Sequence, residues 1–79
     1  MKPIIFIQHA LDRLKERGIS AELATEVIRN PDRVDSENDR KIAQKLVGGK
    51  LLRVIYEEEA SIIVISAYRT SKAVKYLRE

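Results

Sequence analysis

His9, Arg13 and Arg17 stand four residues apart in the segment His9-Ala-Leu-Asp-Arg13-Leu-Lys-Glu-Arg17-Gly18-Ile19. On a helix that spacing lines one imidazole and two guanidiniums along a stripe, beside an apolar face of Ala10, Leu11 and Leu14. His9 is the only histidine, and an imidazole suits a general acid or base; it equally suits a helix cap or a carboxylate partner. Arg13 and Arg17 suit the phosphates of a partner, or carboxylates along the helix flank. A second concentration closes the chain's most apolar stretch: Tyr68-Arg69-Thr70-Ser71-Lys72. A phenol, a guanidinium, two hydroxyls and an ammonium where a strand runs into a helix could hold an anion, or could form a solvated strand end with an ordinary cap.

Other chemistries find little support. With one histidine and no cysteine, a metal site would need clustered carboxylates, and none show ligand spacing. Gly48-Gly49 is no phosphate loop, because no helix follows it, and no local motif supports a Ser-His-Asp triad. No cofactor is expected. The absence of cysteine leads to a reducing, cytoplasmic setting as the expectation. The longest apolar run, 62–65, is too short to span a membrane, and the apolar start of the chain reads as a strand rather than a signal peptide.

The 79 residues make one domain, 1–79, with 44% hydrophobic and 34% charged side chains, a balance that fits a globular rather than a disordered chain. Its net charge is +3, unevenly placed. Residues 1–39 hold six basic and eight acidic side chains; residues 40–79 hold nine and four. A basic second half points to an anionic partner, nucleic acid or an acidic protein, unless the lysines merely keep a sheet soluble.

These groups must be positioned by a few short elements. Pro3 leads into a strand over 4–7, and a helix follows over 9–17, stopped by Gly18. Ser20 caps a second helix, with Glu22 in its first turn, Leu23, Ala24, Val27 and Ile28 on its buried face, and Asn30-Pro31 at its end. The period then changes from helical to alternating. Residues 33–37 read as a short edge strand, Asn38-Asp39 as a turn, and 40–47 and 50–58 as a hairpin about Gly48-Gly49. The strand over 61–69 is expected to be central, and Ser71 to cap a last helix over 72–78. The fold class is α+β: an antiparallel sheet of three to five strands, the two N-terminal helices packed on one face, and a short C-terminal helix.

The two-residue turn sets the register. Val47 faces Lys50, Leu46 faces Leu51, Gln44 faces Arg53 and Ile42 faces Ile55. One face then carries Ile42, Leu46, Leu51 and Ile55 around Gln44 and Arg53, and is expected to meet the helices. The other carries Lys41, Lys45, Lys50 and Tyr56 with Ala43, Leu52 and Val54, a cationic surface with one aromatic. Arg53 would be buried, partnered by Gln44 and by Asp12 or Glu16 from a helix, or would sit at the sheet's rim aimed at a phosphate.

Arg17-Gly18-Ile19-Ser20, Val27, Asn30-Pro31, Leu52-Arg53-Val54-Ile55-Tyr56, Ile65-Ser66-Ala67-Tyr68-Arg69 and Tyr76 together resemble the BrnT-like toxins of the RelE/ParE superfamily. The opening His9-Ala-x-x-Arg13-x-x-x-Arg17-Gly18-Ile19 is more similar still to small, mostly uncharacterised prokaryotic relatives of that group. The resemblance covers nearly the whole chain through short motifs. It implies a RelE-like fold and a small, metal-independent ribonuclease or ribosome-dependent mRNA interferase, held inactive by a cognate antitoxin. In that superfamily the RNA's own 2′-hydroxyl is the nucleophile. Arg53, Arg69 and Lys45 would stabilise charge on the phosphorus, while Tyr68, Tyr56 or His9 would move protons or stack on a base. Two departures stand out: Glu16-Arg17-Gly18 replaces the common Lys-His-Gly, and Tyr68 follows Ile-Ser-Ala where an arginine is usual, with Arg69 one step later.

Three classes of function follow. A toxin-like enzyme would use His9, Arg53, Tyr68 and Arg69. A non-catalytic binding module for RNA, the ribosome or an acidic partner would use Arg13, Arg17, Lys41, Lys45, Lys50, Tyr56 and Lys72. A small structural homodimer would use the edge strand or the last helix.

Overall fold

The computed structural model describes residues 2–72. Its elements are β1 (Ile4–Phe6), α1 (Gln8–Glu16), α2 (Ala21–Arg29), β2 (Arg33–Glu37), β3 (Arg40–Val47), β4 (Lys50–Glu58) and β5 (Ile62–Thr70). The expected helix over 72–78 lies, beyond Lys72, outside the described residues.

Both early helices form as their end signals dictate. Gly18 adopts φ +64°, so Ile19 N–H reaches Leu14 O at 2.9 Å and Gly18 N–H reaches Lys15 O at 3.2 Å. That pair of bonds is the Schellman closure, and it brings Ile19 into the core beside Leu14. Ser20 Oγ accepts from Leu23 N–H at 3.1 Å and starts α2.

The five strands form one sheet in the order β1-β5-β4-β3-β2. The β3–β4 hairpin has the register that Gly48-Gly49 predicts, Val47 opposite Lys50 through Ile42 opposite Ile55. Two expectations change. The sheet is mixed rather than antiparallel: β1 runs parallel to β5, Ile4 opposite Ile62. Two helices and three strands separate β1 from β5, so no tight turn ties their directions and the parallel one is open to them. The middle strand is β4, not β5, and Leu51, Leu52, Arg53 and Val54 are buried on both of its faces.

The helices also cover the opposite face from the one expected. The core joins Ala10, Leu14, Ala24 and Val27 of the helices to Ala43, Leu52, Val54, Tyr56, Val64 and Ala67 of the sheet. The face left uncovered carries Gln44 and Arg53, whose polar groups the apolar side of a helix could not satisfy. Tyr56 therefore lies in the core, 5% exposed, and offers no aromatic surface to a nucleic acid. Burial pushes its phenol up from the ordinary tyrosine range. Among the described residues no helix is long and apolar enough to cross a membrane.

Candidate functional site

On the sheet face opposite α1 and α2, polar side chains connect four strands. Arg33 Nε donates to Asp35 Oδ1 at 2.8 Å, and Gln44 Nε2 donates to Asp35 Oδ2 at 2.5 Å. Arg53 Nε donates to Gln44 Oε1 at 3.1 Å, and Arg53 Nη1 donates to the Tyr68 hydroxyl. The Arg53 guanidinium carbon also lies 5.6 Å from the centre of the Tyr68 ring. Arg53 is 8% exposed and Gln44 is fully buried, so these bonds satisfy groups largely withdrawn from water. Asp12 and Glu16, the expected partners of Arg53, are on the other side of the sheet; they engage Gln8 and Arg13 within α1. The carboxylate that anchors the network is instead Asp35, on β2.

A cleft of about 530 Å³ opens on this face. Ile42 and Ile55 belong to its apolar part, Arg53 and Tyr68 line one side, and Glu37, Asn38, Asp39, Arg40 and Glu57 line the other. Arg40 is matched to Glu57 at 3.5 Å.

Arg69 and Lys45, both candidates for stabilising a phosphate, cap helix ends. Arg69 Nη1 donates to Arg17 O at 2.9 Å and its Nη2 to Gly18 O at 3.3 Å, at the C-terminus of α1. Lys45 Nζ donates to Asn30 O at 2.8 Å, at the C-terminus of α2. Cations suit both places, because the last carbonyls of a helix concentrate partial negative charge. Arg17 answers Arg69 by donating to Ala67 O at 2.8 Å and Ser66 Oγ at 3.2 Å, where β5 extends past the short β1. Neither Arg17 nor Arg69 meets a carboxylate among the described residues.

The register sorts charge by strand end. At one end lie Lys50 opposite Val47, Arg69 opposite Leu52, Lys72 just past β5, and the helix C-termini with Arg17 and Arg29; Asp32 there takes Lys45 at 3.9 Å. At the other end lie Glu37 opposite Arg40, then Asp39, Glu57, Glu58 and Glu59. Lys41, at 2.8 Å, and Lys2, at 3.1 Å, both pair with Glu58 there. The Lys41 hydrogen bond holds the Glu58 carboxyl below the usual carboxylate range, with Lys2 adding to it, and Glu58 in turn raises Lys41. The asymmetry seen along the chain thus becomes an asymmetry along the strands. Glu57, Glu58 and Glu59 belong to the basic half of the sequence yet sit at the acidic end of the fold.

The predicted catalytic group divides into three places. Arg53 and Tyr68 meet on the far face of the sheet, Arg69 caps α1, and His9 is exposed in the first turn of α1. Of the predicted binding residues, Arg17, Lys45, Lys50 and Lys72 gather at the basic end, Lys41 is engaged at the acidic end, Tyr56 is in the core, and Arg13 pairs with Glu16 at 3.0 Å. Arg29, which had no role in the sequence reading, joins the basic end through its place in the last turn of α2. Among the described residues no group of three or more His, Asp or Glu could hold a metal ion.

The profile of a protein family described as a domain of unknown function, DUF4258, matches residues 6–69, and the chain belongs to that family. No curated protein and no solved structure matches it.

Proposed function

We propose that this member of the DUF4258 family is an RNA-binding module whose basic end takes the phosphates of a single strand. The observation that carries the proposal is the gathering of Arg17, Arg29, Lys50, Arg69 and Lys72, all exposed, at one end of the sheet. Phosphates arranged along that end would exchange counterions for these cations, a contact that needs no particular base. The half-buried Tyr68 ring lies one residue inward on β5 on the other face of the sheet, beside Arg53, where a base turned over that end would stack. The likeness of the motifs to RNA-directed toxins supports RNA as the polyanion.

The test is fluorescence anisotropy of a labelled single-stranded oligonucleotide against salt. Each contact removed by Arg17→Ala, Lys50→Ala or Lys72→Ala should reduce the log–log salt slope by about 0.7. An unchanged slope in the triple variant, or no binding at about 50 mM salt, would sink the proposal.

A second reading, a toxin-like ribonuclease with a cognate antitoxin, is favoured by the Arg53–Tyr68 contact in the cleft. In it the RNA 2′-hydroxyl gives its proton to water as its oxygen bonds to phosphorus, and the bond to the 5′-oxygen breaks, leaving a 2′,3′-cyclic phosphate. Arg53 would stabilise the charged phosphorane and Tyr68 would carry a proton to the leaving oxygen. The separation of His9 and Arg69 from that pair makes binding the leading reading. Cyclic-phosphate ends on RNA, lost in Tyr68→Phe, would reverse the order.

A further inference from the structure

We infer that β2 is a docking edge for a second copy of this chain, paired antiparallel about a two-fold axis at Val34. The two edges of the sheet differ. β1 is three residues long and follows Pro3, so it offers little ladder. β2 runs five residues in unbroken register with β3 and contains no lysine and no proline. Its edge is guarded instead by the charges of Arg33, Asp35 and Glu37, which repel strands that do not match them and admit one that does. Alternate residues of β2 turn N–H and C=O away from β3, ready for another strand.

The side chains select the occupant. In the register centred on Val34, the Arg33–Asp35 ion pair of each copy lies against that of the other, Arg33 opposite Asp35, and Val34 faces Val34. Val34 is 44% exposed, one of the more exposed large apolar residues described, and its twin would cover it. Opposite charges facing across strands and a β-branched pair between them are favourable on both counts. The long-range charges agree. β2 runs from the basic end of the sheet toward the acidic end, Arg33 beside Gln44 and Glu37 beside Arg40. An antiparallel partner therefore sets its acidic end beside the basic end of the first copy, and the reverse. A parallel partner would set like ends together. The contact is short, so association should be weak, with Kd on the order of micromolar or higher.

The absence of cysteine makes the register directly testable in the full chain. Sedimentation velocity over a concentration series should show a reversible dimer. Val34→Lys places two ammoniums face to face and should weaken it about tenfold or more, with an unchanged circular dichroism spectrum, since the side chain is exposed. Val34→Cys should form a disulfide dimer quickly under mild oxidation, because directly opposed strand residues meet the geometry of that bond. Ser36→Cys, which faces Asp32 of the twin rather than itself, should cross-link slowly. A monomer at every concentration overturns the inference. So does a dimer that survives Val34→Lys, or equal cross-linking of the two cysteine variants. None of these measurements involves RNA, so their outcome is independent of the proposed function.

Discussion

Gln44→Leu removes the link between Asp35 and Arg53 while nearly keeping the volume of the side chain. Gln44 is fully buried, and its amide serves two neighbours, accepting from Arg53 Nε at 3.1 Å and donating to Asp35 at 2.5 Å. Asp35 is half-buried and keeps Arg33 Nε at 2.8 Å, so water can replace the lost donor there. Arg53 is 8% exposed, and its Nε would be left facing a methyl group. Stranding a charged donor out of reach of water costs roughly 2–3 kcal/mol. A domain of this length has about 4–12 kcal/mol of stability in all, so the loss is a large fraction of it. The melting temperature should fall by about 10–20 °C. Urea unfolding followed by circular dichroism measures the change, with an unaltered m-value showing that the native state is still compact. The companion variant is Arg53→Met with Gln44→Leu. It removes the stranded group itself, so the double variant should be about 1–2 kcal/mol more stable than the two single losses added together. A cost below about 1 kcal/mol for Gln44→Leu, or additivity within about 0.5 kcal/mol, would refute the claim that the amide satisfies Arg53.

Arg69→Ala removes the guanidinium that holds the Arg17 and Gly18 carbonyls just past the end of α1; it should cost about 1 kcal/mol in urea unfolding, with Arg69→Lys recovering part by restoring the charge. If Arg69→Ala leaves stability unchanged, its capping role fails. For Glu58 the ionised form is favoured in the fold by Lys41 and Lys2. Its contribution is therefore present at neutral pH and is lost as pH falls through the ordinary carboxylate range and then through its lowered value. The urea midpoint should decline over that window, and Glu58→Gln should flatten the decline; parallel curves for the two proteins would assign the acid sensitivity elsewhere. Lys41, held above the ordinary lysine range, loses its contribution only at alkaline pH beyond that range.

Local signals read well from the residues alone. Gly18 ends α1 because a left-handed turn closes the helix and costs glycine little, and Ser20 starts α2 because its hydroxyl accepts an otherwise orphaned N–H. Gly48-Gly49 sets the hairpin register because both positions need positive φ, 59° and 83°. Even the Arg53–Gln44 pair is legible, since opposite residues of a known register share a face. The same information assigned the wrong face to the helices. Alternation says which residues lie together, but it does not say which of two partly apolar faces a helix will choose. That choice rested on residues separated widely in the chain: Gln44 and Arg53 find their polar partners in Asp35 and Tyr68 of the sheet itself, and the other face is left for the helices.

The stripe of His9, Arg13 and Arg17 shows the same division. Its helix and its spacing were determined by the sequence, as were the helix ends, the hairpin and the α+β class. These depend on dihedral preferences and hydrogen bonds within a few residues. What each arginine does was decided by residues far away along the chain: Arg17 holds Ala67 and receives Arg69, while Arg13 stays with Glu16. The parallel β1, the exposed β2 edge and the separation of basic from acidic ends were likewise decided only in three dimensions. Each depends on which strands become neighbours, and that is the outcome of packing the whole chain rather than a property of any segment.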